Sequence, residues 1–137
     1  MDEKWMRMAL ELAEEAADNG EVPIGAVIVL DGKLIAAAKN RMEELQCATA
    51  HAEILAINEA SKAIKNWRLD GATLYVSLEP CQMCWGAIKN SRISKVIFAA
   101  NADLNICSGL LAAESTAILQ KFFRKVRKKK NDSGVKE

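Results

Sequence analysis

The chain has one histidine, in the triplet His51-Ala52-Glu53, and thirty residues further on two cysteines stand three apart in Pro80-Cys81-Gln82-Met83-Cys84. An imidazole and two thiolates are ligand types that zinc prefers, and three protein ligands leave the fourth tetrahedral position open to water, as in a catalytic rather than a closed structural site. Bound zinc lowers the pKa of water toward about 7, so hydroxide is available at neutral pH. Glu53, close by and not a ligand, would accept the proton. In a hydrolytic deamination the ring nitrogen beside the attacked carbon and the leaving amine also need protons, and one mobile carboxylate can make all three transfers in turn. Such chemistry calls for no organic cofactor.

Other readings of the same residues stand beside this one. A Cys-x-x-Cys at a helix start after a strand also describes thiol-disulfide oxidoreductases, but that leaves His-Ala-Glu and the early hairpin without a purpose. Cys47 or Cys107 could close a structural zinc site as fourth ligand, Cys47 lying four residues before His51. Without a metal, the set reduces to a surface histidine and two buried thiols. Cys47 and Cys107 otherwise read as buried small apolar residues.

Both motifs must sit where side chains from different elements converge. HAEILAINEASKAI reads as a helix, with Thr49 placed to cap its first turn. Residues two apart on a helix project about 200° apart, so His51 and Glu53 meet only beyond the helix N-terminus. There the helix dipoles favour thiolates and a carboxylate. TLYVSLE (73–79) has strand composition, and Pro80 fits the first turn of a helix running CQMCWGAIKNS. KVIFAA (95–100) then completes a β-α-β unit with parallel strands. Upstream, Trp5, Ala9, Leu12 and Ala16 mark one face of a helix over 2–18, with Asp2 as N-cap and Gly20 as its end. IGAVIVL-Asp31-Gly32-KLIAAA reads as an antiparallel hairpin. The polar stretch from Asn40 to Ala50 separates this hairpin from the histidine helix. A C-terminal helix near 110–130 places Leu111, Ile118, Leu119, Phe122 and Val126 on an inward stripe.

At 137 residues the chain fits one domain, expected over 1–130 with an unstructured tail at 131–137. Its 50% hydrophobic and 27% charged content is that of an ordinary globular protein. There is no apolar run of membrane-spanning length and the amphipathic start does not read as a signal peptide, so the cytoplasm is the expected compartment. The net charge of +1 hides an asymmetry: residues 1–120 carry 11 basic and 16 acidic side chains, residues 121–137 carry 8 and 2. Lys121, Arg124, Lys125 and Arg127 to Lys130 are available to phosphates or to solvent.

His-x-Glu followed by Pro-Cys-x-x-Cys is the signature of zinc deaminases acting on nucleobases. With GEVPIGAVIV, ATAHAEILAI, NWRLDGATLYVSLEPCQMCWGAI, SRISKVIF and FFRKVRKKK, the chain resembles the bacterial tRNA-specific adenosine deaminases over about residues 4–100 and 107–130. The resemblance implies a three-layer α-β-α cytidine-deaminase-like fold with a mixed sheet. It also implies one zinc per subunit on His51, Cys81 and Cys84, proton transfer by Glu53, a substrate contact from Asn40, a homodimer, and a tRNA anticodon stem-loop as partner.

One region departs from that pattern. FAANADLNICSGLL runs almost directly on where the family has a longer loop, a helical stretch and a fifth strand, and Asp103 is one position away from the family's aspartate. A parallel crossover needs a dozen or more residues, so any fifth strand here returns antiparallel or does not pair. The shortening keeps a free base or nucleoside (guanine, cytosine, cytidine) open as an alternative substrate. Trp85, next to the ligand pair, faces either the cleft or a subunit interface.

Overall fold

The computed structural model describes residues 2–106 and 108–132. In chain order the elements are α1 (Asp2–Asp18), β1 (Gly25–Leu30), β2 (Lys33–Lys39), α2 (Met42–Leu45), α3 (Ala52–Ile64), β3 (Thr73–Leu78), α4 (Gln82–Asn90), β4 (Lys95–Ala100) and α5 (Ala112–Asp132). The strands form one mixed sheet in the order β2-β1-β3-β4, with β1 antiparallel to both neighbours and β3 parallel to β4. Asp31 (φ 52°) and Gly32 (φ 75°) make the expected hairpin turn.

Alternation along the strands assigns the layers. In β1, Ala26 and Ile28 pack with Ala52, Ala56, Ile57, Ala60 and Ile88 of α3 and α4 on one face. Val27 and Val29 point the other way, against Met6, Ala9 and Leu10 of α1 and Ile118 of α5. The protein is therefore a three-layer α-β-α domain, as expected. Each fully buried Leu or Ile in these two cores contributes about 1.5–3 kcal/mol. At Gly25 a Cβ would lie 2.0 Å from the Ala9 carbonyl oxygen, so only glycine lets α1 approach β1 this closely.

The helix faces differ in detail from expectation. The buried stripe of α1 is Met6, Ala9, Leu10, Ala13 and Ala16, with Trp5 and Leu12 only half-buried at its edges. Asp2 lies within α1, and its carboxylate accepts the buried Tyr75 hydroxyl rather than acting as a cap. On α5, Leu119 is buried as expected, but Val126 is 48% exposed. A one-turn α2 lies within the polar stretch between the hairpin and the histidine helix. No strand follows β4 among the described residues, so the alternative without pairing holds. The connection instead crosses directly over β4, where a Cβ at Gly109 would lie 2.0 Å from the Ala99 carbonyl oxygen. Cys107 and residues 133–137 of the expected tail lie outside the described residues.

Candidate active site

The two motifs occupy equivalent places. His51 is the N-cap residue of α3 and Cys81 that of α4; both have extended backbone (ψ 150° and 173°), and neither makes a side-chain capping bond. Their side chains leave the chain just before each helix begins and are free to converge beyond both N-termini. This resolves the helical-projection problem, since His51 is not on the side of a helix at all. Glu53 belongs to the first turn of α3 and points inward, 3% exposed.

The ends of the elements are fixed by short ties. The Asn40 side chain, from the end of β2, accepts the buried Ala52 N–H at 2.8 Å, and Arg41 N–H donates to the Ala50 carbonyl at 3.0 Å. Asn40 thus supplies the acceptor expected from Thr49. The reason is a tight turn, in which His51 N–H donates to the Thr49 carbonyl at 2.8 Å while the exposed Thr49 hydroxyl pairs with Cys47 Sγ at 3.4 Å. On the other side, Glu79 N–H donates to the Ala100 carbonyl at 2.8 Å, carrying the chain from β3 to the buried Pro80 and then Cys81. Pro80 thus precedes the N-cap rather than entering the first turn.

His51 Nδ1 lies 3.7 Å from Cys81 Sγ and 3.5 Å from Cys84 Sγ, and the three donor atoms fall within 4.8 Å of one another. Zinc–sulfur and zinc–nitrogen bonds of about 2.3 and 2.0 Å at a tetrahedral angle place sulfur and nitrogen about 3.5 Å apart. The two nitrogen–sulfur separations are therefore close to those of a zinc tetrahedron. Cys84 is buried and Cys81 exposed, which leaves one side of the triangle open to solvent. Burial and then the charge of Glu53 push the Cys84 thiol up, so a cation is what would hold it as thiolate. Burial also raises the Glu53 carboxyl, opposed by a main-chain hydrogen bond and by the Cys84 thiol beside it. Glu53 Oε1 finds no hydrogen-bond partner among the described residues. A buried acceptor with no partner beside three metal-type donors fits a group meant to meet water or substrate rather than the fold.

His51, Glu53, Cys81, Cys84 and Asn40 are therefore brought to one place. Cys47 does not join the metal-type group; it is exposed rather than buried, because the connection that carries it lies on the surface. Asp103 is exposed and accepts the Asn105 N–H at 3.0 Å, which folds its own loop. Trp85 is 40% exposed on the outer face of α4. Sequence reasoning passed over Glu79, whose carboxylate accepts the Ala102 N–H at 3.0 Å and ties the segment before Cys81 to the connection after β4. Its position directly before Pro80 was the available signal.

A mixed sheet between two helical layers, with His-x-Glu opening one helix and Cys-x-x-Cys the other on the same face, defines a deaminase of the cytidine-deaminase-like fold. The chain belongs to the MafB19-like deaminase family, which matches residues 1–127. It is 46% identical over 149 aligned residues to a tRNA-specific adenosine deaminase of Bacillus subtilis strain 168, covering 94% of this chain and 92% of the relative. That aligned length exceeds the 137 residues here, so the relative has residues without counterparts in this chain. A structure from work on A-to-I editing by tRNA:A34 deaminases superposes with TM-score 0.78 at 40% identity, covering 85% of this chain and 99% of the other. A guanine deaminase from Nitrosomonas europaea superposes with TM-score 0.79 at 27% identity, covering 88% and 83%.

Proposed function

We propose that this deaminase converts adenosine to inosine at the wobble position of a tRNA anticodon, using one zinc ion per chain held by His51, Cys81 and Cys84. The observation that carries the reading is the donor triangle with the buried Glu53 carboxylate beside it. The relatives named tRNA-specific adenosine deaminases support the substrate. Zinc supplies an activated water when bound. Glu53 accepts a proton from the attacking water and delivers it to the ring nitrogen beside the amino-bearing carbon, then takes a second from the newly attached hydroxyl and passes it to the amino group, which leaves as ammonia. Asn40 spends its carbonyl oxygen on Ala52 N–H, which leaves its amide N–H groups to orient the nucleoside.

The catalytic unit is the single domain of residues 1–130, working in the cytoplasm; no described helix is long and apolar enough to cross a membrane. Lys121, Arg124, Lys125, Arg127, Lys128 and Lys129 are exposed along α5 and supply cations for anticodon-stem phosphates. Met83 (38% exposed) and Trp85 (40%) leave an apolar surface on α4 suited to a second copy of the chain, giving a homodimer.

A second reading is a deaminase of a free base or nucleoside. It is favoured by the short connection after β4 and by the equally close superposition on guanine deaminase. The two are separated by offering zinc-loaded protein an anticodon stem-loop containing adenosine 34 alongside free guanine, cytosine, cytidine and adenosine. Inosine in the RNA supports the first reading, and ammonia from a free base or nucleoside alone supports the second.

A further inference from the structure

Between Asn40 and His51 the chain makes a ten-residue excursion, 41–50, that contains α2 and forms a loop beside the donor triangle. Its four-residue helix is too short to hold itself, since helix nucleation is unfavourable and the first turn has unpaired N–H groups. Arg41, the N-cap residue of α2, makes no side-chain capping bond and instead pairs its guanidinium with Glu44. The missing acceptors come from a distant residue. Glu21 is 3% exposed, and both its carboxylate oxygens face α2: Oε1 accepts the Glu43 N–H at 3.0 Å and Oε2 the Glu44 N–H at 2.8 Å. The Glu21 N–H in turn donates to the Ala16 carbonyl at 2.9 Å, anchoring it to the end of α1. Among the described residues this is the only hydrogen bonding by a side chain outside the loop that reaches 41–50.

We propose that Glu21 is a positioning residue for the reaction: its buried carboxylate clamps the 41–50 loop, and through the loop it fixes Asn40 against His51 at the rim of the nucleoside cleft. The two ends of the loop are the substrate contact and a metal ligand. α2 is bonded toward both ends, since Leu45 N–H donates to the Arg41 carbonyl at 3.0 Å, Cys47 N–H to the Met42 carbonyl at 3.0 Å and Ala50 N–H to the Cys47 carbonyl at 3.1 Å, so motion of α2 is passed to both. Among the described residues the Glu21 carboxylate bonds α2 and is not one of the metal-type donors. A loosened loop should therefore weaken capture of the nucleoside more than the proton transfers made by Glu53. The inference rests on the deaminase reading proposed above.

Glu21→Gln tests it, because the amide offers one acceptor oxygen and turns an N–H₂ toward a second N–H donor, at unchanged size. The zinc-loaded wild type and variant are compared by hydrogen exchange, by metal content, and by kcat and KM on the adenosine-34 stem-loop. The expected result is retained zinc, exchange at least tenfold faster confined to 42–51, a KM raised about fivefold or more, and kcat within twofold. Unchanged exchange and KM overturn the proposal. So does faster exchange across the whole sheet with kcat falling and KM constant, the mark of a purely structural residue. If Glu21→Gln does not fold, Glu21→Asp, which keeps the charge but shortens the reach, is read by the same measurements. Absence of wild-type turnover on the RNA counts against the proposed substrate, and the exchange comparison still decides whether Glu21 holds the loop.

Discussion

Replacing Asn40 separates its two assigned tasks. Its carbonyl oxygen accepts the Ala52 N–H at 2.8 Å, and Asn40 and Ala52 are 2% and 0% exposed, so no solvent is at hand to replace that bond. Asn40→Ala leaves a buried donor without a partner, at a cost of about 1–3 kcal/mol. With an unfolding entropy of about 2.1 cal/mol/K per residue over 137 residues, each kcal/mol lowers Tm by about 3.5 °C. The expected loss is therefore about 3–10 °C. Asn40→Asp keeps an acceptor at a helix N-terminus, where negative charge is favoured, and should recover at least half of it. The carboxylate cannot donate, so the aspartate variant should still lose kcat/KM on the stem-loop by tenfold or more. Thermal unfolding by circular dichroism, with metal held in excess, measures the first effect and steady-state kinetics the second. Equal Tm in the alanine variant and the wild type would refute the capping role; full activity in the aspartate variant would refute the substrate contact.

Glu53→Ala should keep one zinc per chain and lose at least about 10³-fold in kcat, about 4 kcal/mol of barrier, since three proton transfers depend on one carboxylate; metal analysis beside ammonia release checks this, and loss of zinc would show that Glu53 is a ligand. Cys84→Ala should instead lose the metal, and with it the stability that coupled binding provides, seen as a Tm that no longer rises when zinc is added. Tyr75, the sole tyrosine, is pushed up to about 12, by burial first and then by its hydrogen bond to Asp2 and the Asp2 charge. Above pH 10 the unfolded chain has lost that proton and the folded one has not, so this contribution is full below pH 10 and is lost as pH rises toward 12. Tyrosinate absorbance of the folded protein should therefore rise near pH 12, and Tyr75→Phe should flatten the fall of Tm between pH 10 and 12; ionisation near pH 10 in the folded state would contradict the buried contact.

The chemistry was legible because it is local. His51 with Glu53, and Cys81 with Cys84, lie within one turn of chain each, and the strand preceding Pro80 together with the β-α-β unit dictates where the second pair emerges. The hairpin was equally readable from Asp31-Gly32, whose backbone needs are local too. What escaped depends on contacts between distant positions. Thr49 was the nearest residue able to cap α3, yet Asn40 does so from twelve residues away, after a loop that only the folded chain closes. α2 has no hydrophobic period to announce it and exists because Glu21 supplies its acceptors. Helical spacing on α5 could assign Val126 to the apolar stripe but could not tell how far along the helix that stripe stays covered. That no parallel fifth strand follows β4 among the described residues was foreseeable as a limit on connection length. Its outcome, the connection crossing β4 at Gly109, needed the backbone approach that no spacing encodes.

The central claim is that His51, Cys81, Cys84 and Glu53 together deaminate an adenosine presented in RNA. The measurement that reaches it most directly is nucleoside analysis of an adenosine-34 anticodon stem-loop after incubation with the zinc-loaded protein, with Glu53→Ala as control. The account predicts inosine at that position, one ammonia released for each, and neither product from the variant. RNA recovered unchanged, while free guanine or cytidine is consumed, would contradict the assignment of the substrate; inosine formed equally by the Glu53→Ala protein would contradict the assignment of the site.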